Sequence, residues 1–205
     1  MRIIAGLHRG RRLAAPRGLD TRPMLDRVRE ALFSTLGDRL EDARVLDLFA
    51  GSGSLGLESL SRGARAARLV ERGKPALAVL RENVAALGEE ERAEVVAGDA
   101  LDPASWGSEP CDVAFLDPPY PLLERPGTRK AVFAALARLV ERGLTDGGVV
   151  VFHTPARGPA AGDFGDGLSA ERRTYGSSAL WYVEPAAAGA RERAHGPAPA
   201  EGGPA

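Results

Sequence analysis

The chain has 205 residues, enough for one domain with a sizeable core, and 44% of them are apolar, which excludes a wholly disordered protein. Its 27 basic and 28 acidic residues leave a net charge of -1, so there is no global field to hold a polyanion and any nucleic-acid surface has to be local. The single cysteine, Cys111, excludes an internal disulfide and reads as a buried thiol.

The N-terminal string MRIIAGLHRGRRL carries no apolar signal core, and no run reaches membrane-spanning length, so a reducing cytoplasmic setting without a membrane partner is expected. Residues 1 to 20 hold two short apolar runs, Ile3-Ile4 and Leu13-Ala14-Ala15, about a Gly/Arg turn, the pattern of a β-hairpin. Thr21 can cap a helix and Pro23 suits its first position. Leu25, Val28, Leu32, Phe33 and Leu36 follow at helical spacing, and Gly37 can stop it.

From Arg44 strands and helices alternate. Strands are predicted over Val45 to Phe49, Arg68 to Glu71, Glu94 to Ala97, Val113 to Leu116 and Val149 to His153. Helices fall between them over Gly53 to Arg62, Pro75 to Leu87 and Lys130 to Val140. This rhythm predicts an α/β fold, a parallel sheet covered by helices on both faces. Leu168 to Arg172 and Leu180 to Val183, with a Gly-Ser turn between, read as a terminal hairpin. Residues 185 to 205 are almost all Ala, Gly and Pro, a composition that predicts a disordered tail. Leu122 to Arg129 carries no assignable pattern.

The most informative string is Asp117-Pro118-Pro119-Tyr120, which closes the apolar run Val113-Ala114-Phe115-Leu116. A carboxylate, two rigid prolines and an aromatic ring are delivered to the end of a buried strand, where open α/β sheets bind ligands. A planar amine lying on Tyr120 and bonded to Asp117 suits that arrangement; a plain Pro-Pro turn is the bland alternative. Upstream, Asp47-Leu48-Phe49-Ala50-Gly51-Ser52-Gly53-Ser54-Leu55-Gly56 joins the first strand to its helix. Its glycines allow a tight turn and close approach of a ligand to backbone, and the helix start offers N–H groups to an anion. Glu71 ends the next strand about 20 residues on, where a carboxylate can accept both hydroxyls of a ribose. Each of these has a bland reading too. Gly56 serves helix–sheet packing, Asp47 caps the loop, Glu71 is a solvated strand-end acid, and Asp99 in Gly98-Asp99-Ala100 is either a turn residue or an acceptor for an adenine amine.

His8, His153 and His195 are far apart, form no ligand pattern and read as surface or packing residues, so no metal is expected. Trp106, Trp181 and Tyr182 read as core or rim packing. Between Arg2 and Arg29 stand eight arginines (2, 9, 11, 12, 17, 22, 27, 29) against Asp20 and Asp26, a segregated basic segment suited to phosphates.

Taken in order, the glycine loop, Glu71, Gly98-Asp99-Ala100 and Asp117-Pro118-Pro119-Tyr120 resemble class I S-adenosylmethionine-dependent methyltransferases, the last string being similar to the signature of enzymes that methylate amino groups. Arg2-Ile3-Ile4-Ala5-Gly6, Arg9-Gly10-Arg11-Arg12-Leu13, Arg22-Pro23 and Asp26-Arg27-Val28-Arg29-Glu30-Ala31-Leu32-Phe33 narrow the resemblance to the RsmD-type enzymes, as do Leu46 to Gly53 and Tyr175-Gly176. Those enzymes methylate a guanine N2 amine in bacterial 16S ribosomal RNA. The resemblance spans Arg2 to Val183, with Met24 and Leu25 standing where the family tends to carry polar, threonine-like residues.

The resemblance implies a Rossmann-like, mostly parallel seven-stranded sheet. An N-terminal RNA-binding hairpin and helix (1–37) would precede a methyltransferase domain (38–184), with 185–205 as tail. S-Adenosylmethionine would be held by Asp47, Phe49, Gly51, Ser52 and Gly53 at its methionine end, by Glu71 at the ribose, and by Asp99 and the Ala100 backbone at the adenine. Asp117 and the Pro118 carbonyl would hold the target amine, with Tyr120 stacked on the base. Arg9, Arg11, Arg12, Arg22 and Arg27 would meet ribosomal RNA, naked or in an assembling small subunit. The target so implied is guanine 966 of 16S rRNA. Methylation of DNA adenine N6 or of a protein glutamine amide, a nicotinamide oxidoreductase suggested by Gly51, Gly53 and Gly56, and an RNA-binding module without catalysis are the competing readings.

Overall fold

Seven strands make one sheet: β1 (Arg44–Leu48), β2 (Ala66–Glu71), β3 (Ala93–Ala97), β4 (Cys111–Leu116), β5 (Leu144–Pro155), β6 (Leu168–Tyr175) and β7 (Ser178–Pro185). The computed structural model describes residues 1–16, 24–165 and 167–186. The predicted cap Thr21, the helix-opening Pro23, Arg17, Arg22, His195 and the tail from 187 onward lie outside the described residues. The strand order is β3-β2-β1-β4-β5-β7-β6. β1 through β5 pair in parallel, and β7 runs antiparallel to both β5 and β6. This is the mostly parallel seven-stranded α/β sheet anticipated above. β4 is fully apolar from Val113 to Leu116 and buried throughout, as a central parallel strand covered on both faces has to be.

Helices α1 (Asp26–Leu36), α2 (Ser54–Ser61) and α3 (Lys74–Leu87) cover one face. Val28, Leu32, Phe33, Leu57, Leu60, Leu80 and Val84 pack there on Val45, Leu69, Val113 and Phe115. Helices α4 (Pro121–Glu124) and α5 (Pro126–Arg142) cover the other, where Val132, Leu136 and Leu139 meet Leu46, Ala114, Leu116 and Phe152. α3 carries Pro75 in its first turn and ends on Gly88 in the left-handed region, as its sequence dictates. α1 begins at Asp26, later than Thr21-Arg22-Pro23 suggested. α5 begins four residues before the predicted Lys130, because Pro126 sets an N-terminal turn that the apolar period alone does not reveal. The same local geometry accounts for α4, which lies in the stretch without an assignable pattern.

The N-terminal segment departs from a regular hairpin. Arg2 and Arg12 form one isolated antiparallel bridge, supported by Ile3 N–H to Arg11 O at 2.9 Å and Leu13 N–H to Met1 O at 3.0 Å. A two-residue ladder has too little pairing to stand alone, and it is held from outside instead. Fully buried Glu58 of α2 accepts the N–H groups of Ile4 (2.7 Å) and Ala5 (3.0 Å), Asn83 of α3 accepts that of Ala14 at 2.8 Å, and His8 Nε2 meets Glu89 Oε1 at 2.5 Å. Gly6 sits at φ +81° against Ser61, where a Cβ would collide with the Ser61 carbonyl. Ile3 and Leu13 enter the core beside α1.

Candidate active site

The crossovers reverse direction between β1 and β4, so their C-terminal ends form the topological switch point of the sheet, the place where such folds bind ligands. Leu48 pairs with Leu116, so the glycine loop after β1 and the Asp117–Tyr120 turn after β4 leave the sheet side by side. The Asp117 N–H lies 3.4 Å from the Leu48 carbonyl. Parallel register therefore brings together two motifs almost seventy residues apart in the sequence.

The loop is built for close approach. Phe49 (φ 65°), Gly51 (φ 58°) and Gly53 (φ 83°) all adopt the left-handed region, and Gly53 closes the turn by donating to the Ala50 carbonyl at 2.7 Å. A Cβ on Gly53 would collide with Leu80 and one on Gly56 with Leu69, so both glycines are required by packing. That is the packing role foreseen for Gly56. Asp47 is buried and accepts the Gly56 N–H at 2.9 Å, so it caps the loop-to-helix turn. Burial pushes its carboxyl up to about 7; the Gly56 bond opposes the rise, while the nearby Asp117 and Glu71 charges add to it. Glu71 binds the loop from β2: Oε2 accepts the Gly51 N–H at 2.9 Å and Oε1 the Gly73 N–H at 2.6 Å. Each of these oxygens keeps a further acceptor position for an outside hydroxyl. Asp99, after β3, accepts the Leu101 N–H at 3.0 Å and lies 3.5 Å from Arg72, and the Ala100 carbonyl accepts the Trp106 indole N–H at 2.9 Å.

At the end of β4, Asp117 stands at the rim with its side chain 30% exposed. Pro118 is buried and Tyr120 half-buried, its hydroxyl 3.2 Å from Ser178 Oγ. His153, anticipated as a surface or packing residue, is buried and places Nδ1 2.7 Å from Asp117 Oδ1. Its place follows from register: Phe152 pairs with Leu116, so His153 on β5 is level with Asp117. A histidine closing the apolar run of the strand that flanks β4 is the signal that could have found it. Trp106, Trp181 and Tyr182 are buried, as packing residues should be, and Cys111 is a buried thiol whose pKa burial raises to about 12.

The basic segment divides in two. Arg9 and Arg12 are exposed on the hairpin, Arg11 reaches the Ala86 carbonyl, and Arg27 is exposed on α1 near Gly176. Arg29 is fully buried, bonded to the Arg2 carbonyl and to Asp26, so it belongs to the core and leaves the basic face. Among the described residues, no group of three or more His, Cys, Asp or Glu side chains is arranged to hold a metal ion, and no helix is long and apolar enough to cross a membrane.

A Rossmann-like sheet with this order, a glycine loop at the switch point and a ring of strand-end carboxylates define a class I methyltransferase fold. Enzymes of that class take a methyl group from S-adenosylmethionine, and the residues fit the molecule: the charges of Asp117 and Glu71 both reach buried Asp47, so acidic groups gather at this rim and suit a ligand that brings a sulfonium and an ammonium. The family model described as "Conserved hypothetical protein 95" matches residues 1–184, and the chain belongs to that family, the RsmD-type methyltransferases. The Ribosomal RNA small subunit methyltransferase D of Escherichia coli K12 is 43% identical over 120 residues, 58% of this chain and 60% of the relative. A Bacillus subtilis relative is 34% identical over 181 residues, 86% of this chain and 94% of its own length. The solved structure of a hypothetical protein from Thermus thermophilus superposes with a TM-score of 0.73 at 37% identity, covering 90% of this chain and 99% of its own.

Proposed function

We propose that this chain transfers a methyl group from S-adenosylmethionine to the exocyclic N2 amine of a guanine in the 16S RNA of the small ribosomal subunit, at guanine 966. The observation that carries the reading is the partly exposed Asp117 carboxylate at the switch point, beside both the glycine loop and Tyr120. The Escherichia coli relative's name, which specifies small-subunit ribosomal RNA, supports the substrate class.

Bound S-adenosylmethionine supplies a methyl group already activated by positive sulfur, so the protein's task is to prepare the nucleophile. A guanine amine shares its lone pair with the ring and attacks poorly. Asp117, accepting one amine N–H at roughly 3 Å, turns that lone pair toward the methyl and stabilises the positive charge that grows on nitrogen. The Pro118 carbonyl, next to a proline nitrogen that has no N–H, accepts the second amine proton. Tyr120 stacks on the base and offsets part of the stacking lost when the nucleotide leaves its helix. Gly51, Ser52 and Gly53 face the methionine end, where Asp47 and the Phe49 backbone shape the loop; Glu71 takes the ribose hydroxyls, and Asp99 with the Ala100 N–H reads the adenine. Holding donor and acceptor in line supplies much of the acceleration.

Arg9, Arg11, Arg12 and Arg27, with Arg22 of the segment outside the described residues, would form the RNA face. Residues 1–37 then act as an RNA-binding extension docked on a methyltransferase domain of residues 38–184. A near-neutral net charge favours an assembling ribosomal particle in the cytoplasm, where proteins share the docking, over naked RNA. Mass spectrometry of small-subunit RNA from a deletion strain tests the reading: the deletion should lose one methylated guanine, and an unchanged profile would refute it.

A further inference from the structure

We propose that His153 is the positioning residue of the methyl transfer, holding Asp117 Oδ1 through its Nδ1–H so that Oδ2 is presented to the target amine. The inference rests on the amine-directed reading given above, but its geometry stands on its own.

Asp117 leaves β4 at the rim, and a carboxylate there can rotate about two side-chain bonds. Its one side-chain partner within hydrogen-bonding distance among the described residues is His153, at 2.7 Å. His153 lies on the adjacent strand and is 5% exposed, so its ring is fixed by packing and its reach to Asp117 by the β4–β5 register. The opposite ring edge is also engaged: Nε2 is 3.5 Å from the Tyr120 hydroxyl, which is 3.2 Å from Ser178 Oγ on β7. A carboxylate can only accept, so Nδ1 carries a proton; in the neutral imidazole Nε2 is then left to accept from Tyr120. In that state Tyr120 donates to His153 and His153 to Asp117, with Ser178 Oγ placed to donate to Tyr120. Each bond polarises the next toward the carboxylate. The same chain fixes the tilt of the Tyr120 ring, 58° to the imidazole at a centroid distance of 5.8 Å. One imidazole thus sets both the group that orients the amine and the ring on which the base lies.

In the transfer, the amine nitrogen bonds to the methyl carbon as the carbon–sulfur bond breaks, and its electron pair stays on sulfur. The nitrogen then holds one proton too many. That proton passes to Asp117 Oδ2, so the positive charge of sulfur and the negative charge of the carboxylate vanish together. With Oδ1 held, the acceptor oxygen is already aimed when nitrogen becomes acidic. Without His153, the carboxylate has to be frozen at each turnover, which slows the chemical step and leaves cofactor binding alone.

The test compares His153→Asn, whose amide places an N–H near the position of Nδ1, with His153→Phe, which fills the volume and donates nothing. Single-turnover transfer to partly assembled small subunits should fall by roughly 30-fold or more in H153F and stay within about fivefold of the parent in H153N. Calorimetric affinity for S-adenosylmethionine should be unaltered in both. A parent-like rate in H153F, or an H153N protein that melts like the parent yet is as slow as H153F, would overturn the proposal. Should H153F fail to fold, 15N-histidine NMR decides it, with the His153 signals assigned by their loss in H153N. Nδ1 should be the protonated nitrogen and should move in Asp117→Ala; an unprotonated or unmoved Nδ1 overturns it. If the parent protein binds cofactor but methylates no guanine while the NMR coupling is present, the substrate reading falls and the His153–Asp117 pairing stands.

Discussion

Replacing Asp47 by Asn isolates the electrostatic cost of a carboxyl group sealed beneath the glycine loop. The amide keeps an oxygen to accept the Gly56 N–H, now bonded at 2.9 Å, and removes the titration. In the unfolded chain Asp47 loses its proton near its ordinary value of 3.8; burial holds it until about 7 in the fold. Between those values the native state binds more protons than the unfolded state, so stability falls as pH rises, and above about 7 the loss is complete. At about 1.36 kcal/mol for each decade in the proton equilibrium, the span corresponds to a ceiling of about 4 kcal/mol. Urea denaturation of both proteins at pH 5 and pH 8, without cofactor, measures it. The gap between Asp47→Asn and the parent should widen in favour of the variant by about 2–3 kcal/mol from pH 5 to pH 8, the part of the ceiling that falls between those two pH values. Saturating S-adenosylmethionine should shrink the widening, because a bound cation stabilises the ionised form. A gap that is equal at the two pH values would refute the reasoning, for Asp47 would then be ionised at no cost.

Asp117→Ala is expected to keep its affinity for S-adenosylmethionine in calorimetry while turnover falls by about 10²–10⁴-fold; equal losses of both would make Asp117 a structural residue. Charge reversal of Arg9, Arg11 and Arg12 together should weaken RNA binding and flatten the dependence of log affinity on log salt by about 0.7–0.9 per lost phosphate contact, and an unchanged slope in filter binding would remove the hairpin from the interface. Glu58→Ala should release the N-terminal segment, since Ile4, Ala5 and Arg62 all lose their acceptor. Early trypsin cleavage at Arg9–Arg12 and a stability loss of about 3 kcal/mol would register it, and unaltered protease resistance would show that Ile3 and Leu13 suffice to hold the segment.

Much of the candidate site's rim is legible in the sequence because it depends on neighbours along the chain. Apolar runs ending at Glu71 and Asp117 mark strand ends, Asp47 interrupts the run of β1 one residue before its end, and the glycines after it mark a turn that needs the left-handed region. A polypeptide cannot avoid these local rules, so strand Val113 to Leu116 and the motif behind it can be placed from the residue order alone. Residue type alone, however, does not distinguish Arg29 from Arg27. Both sit in α1, yet one is sealed in the core and the other faces solvent. The helix period points Arg29 inward with Val28 and Leu32, where the docked Arg2 carbonyl and Asp26 meet Nη2 while Nε and Nη1 have no hydrogen-bond partner.

By itself, then, the amino-acid order determined the seven sheet strands and the main helices to within a few residues, which acids stand at or near the strand ends, and that an acid, two prolines and a tyrosine come together. Tertiary structure alone decided that His153 meets Asp117 across 36 residues, that Glu71 holds Gly51, and that Glu58 carries the N-terminal segment. The physical reason is range. Backbone preference and hydrophobic period act over a few residues, whereas partners and burial are set by inter-strand register and helix packing, which exist only once distant parts of the chain have closed on one core.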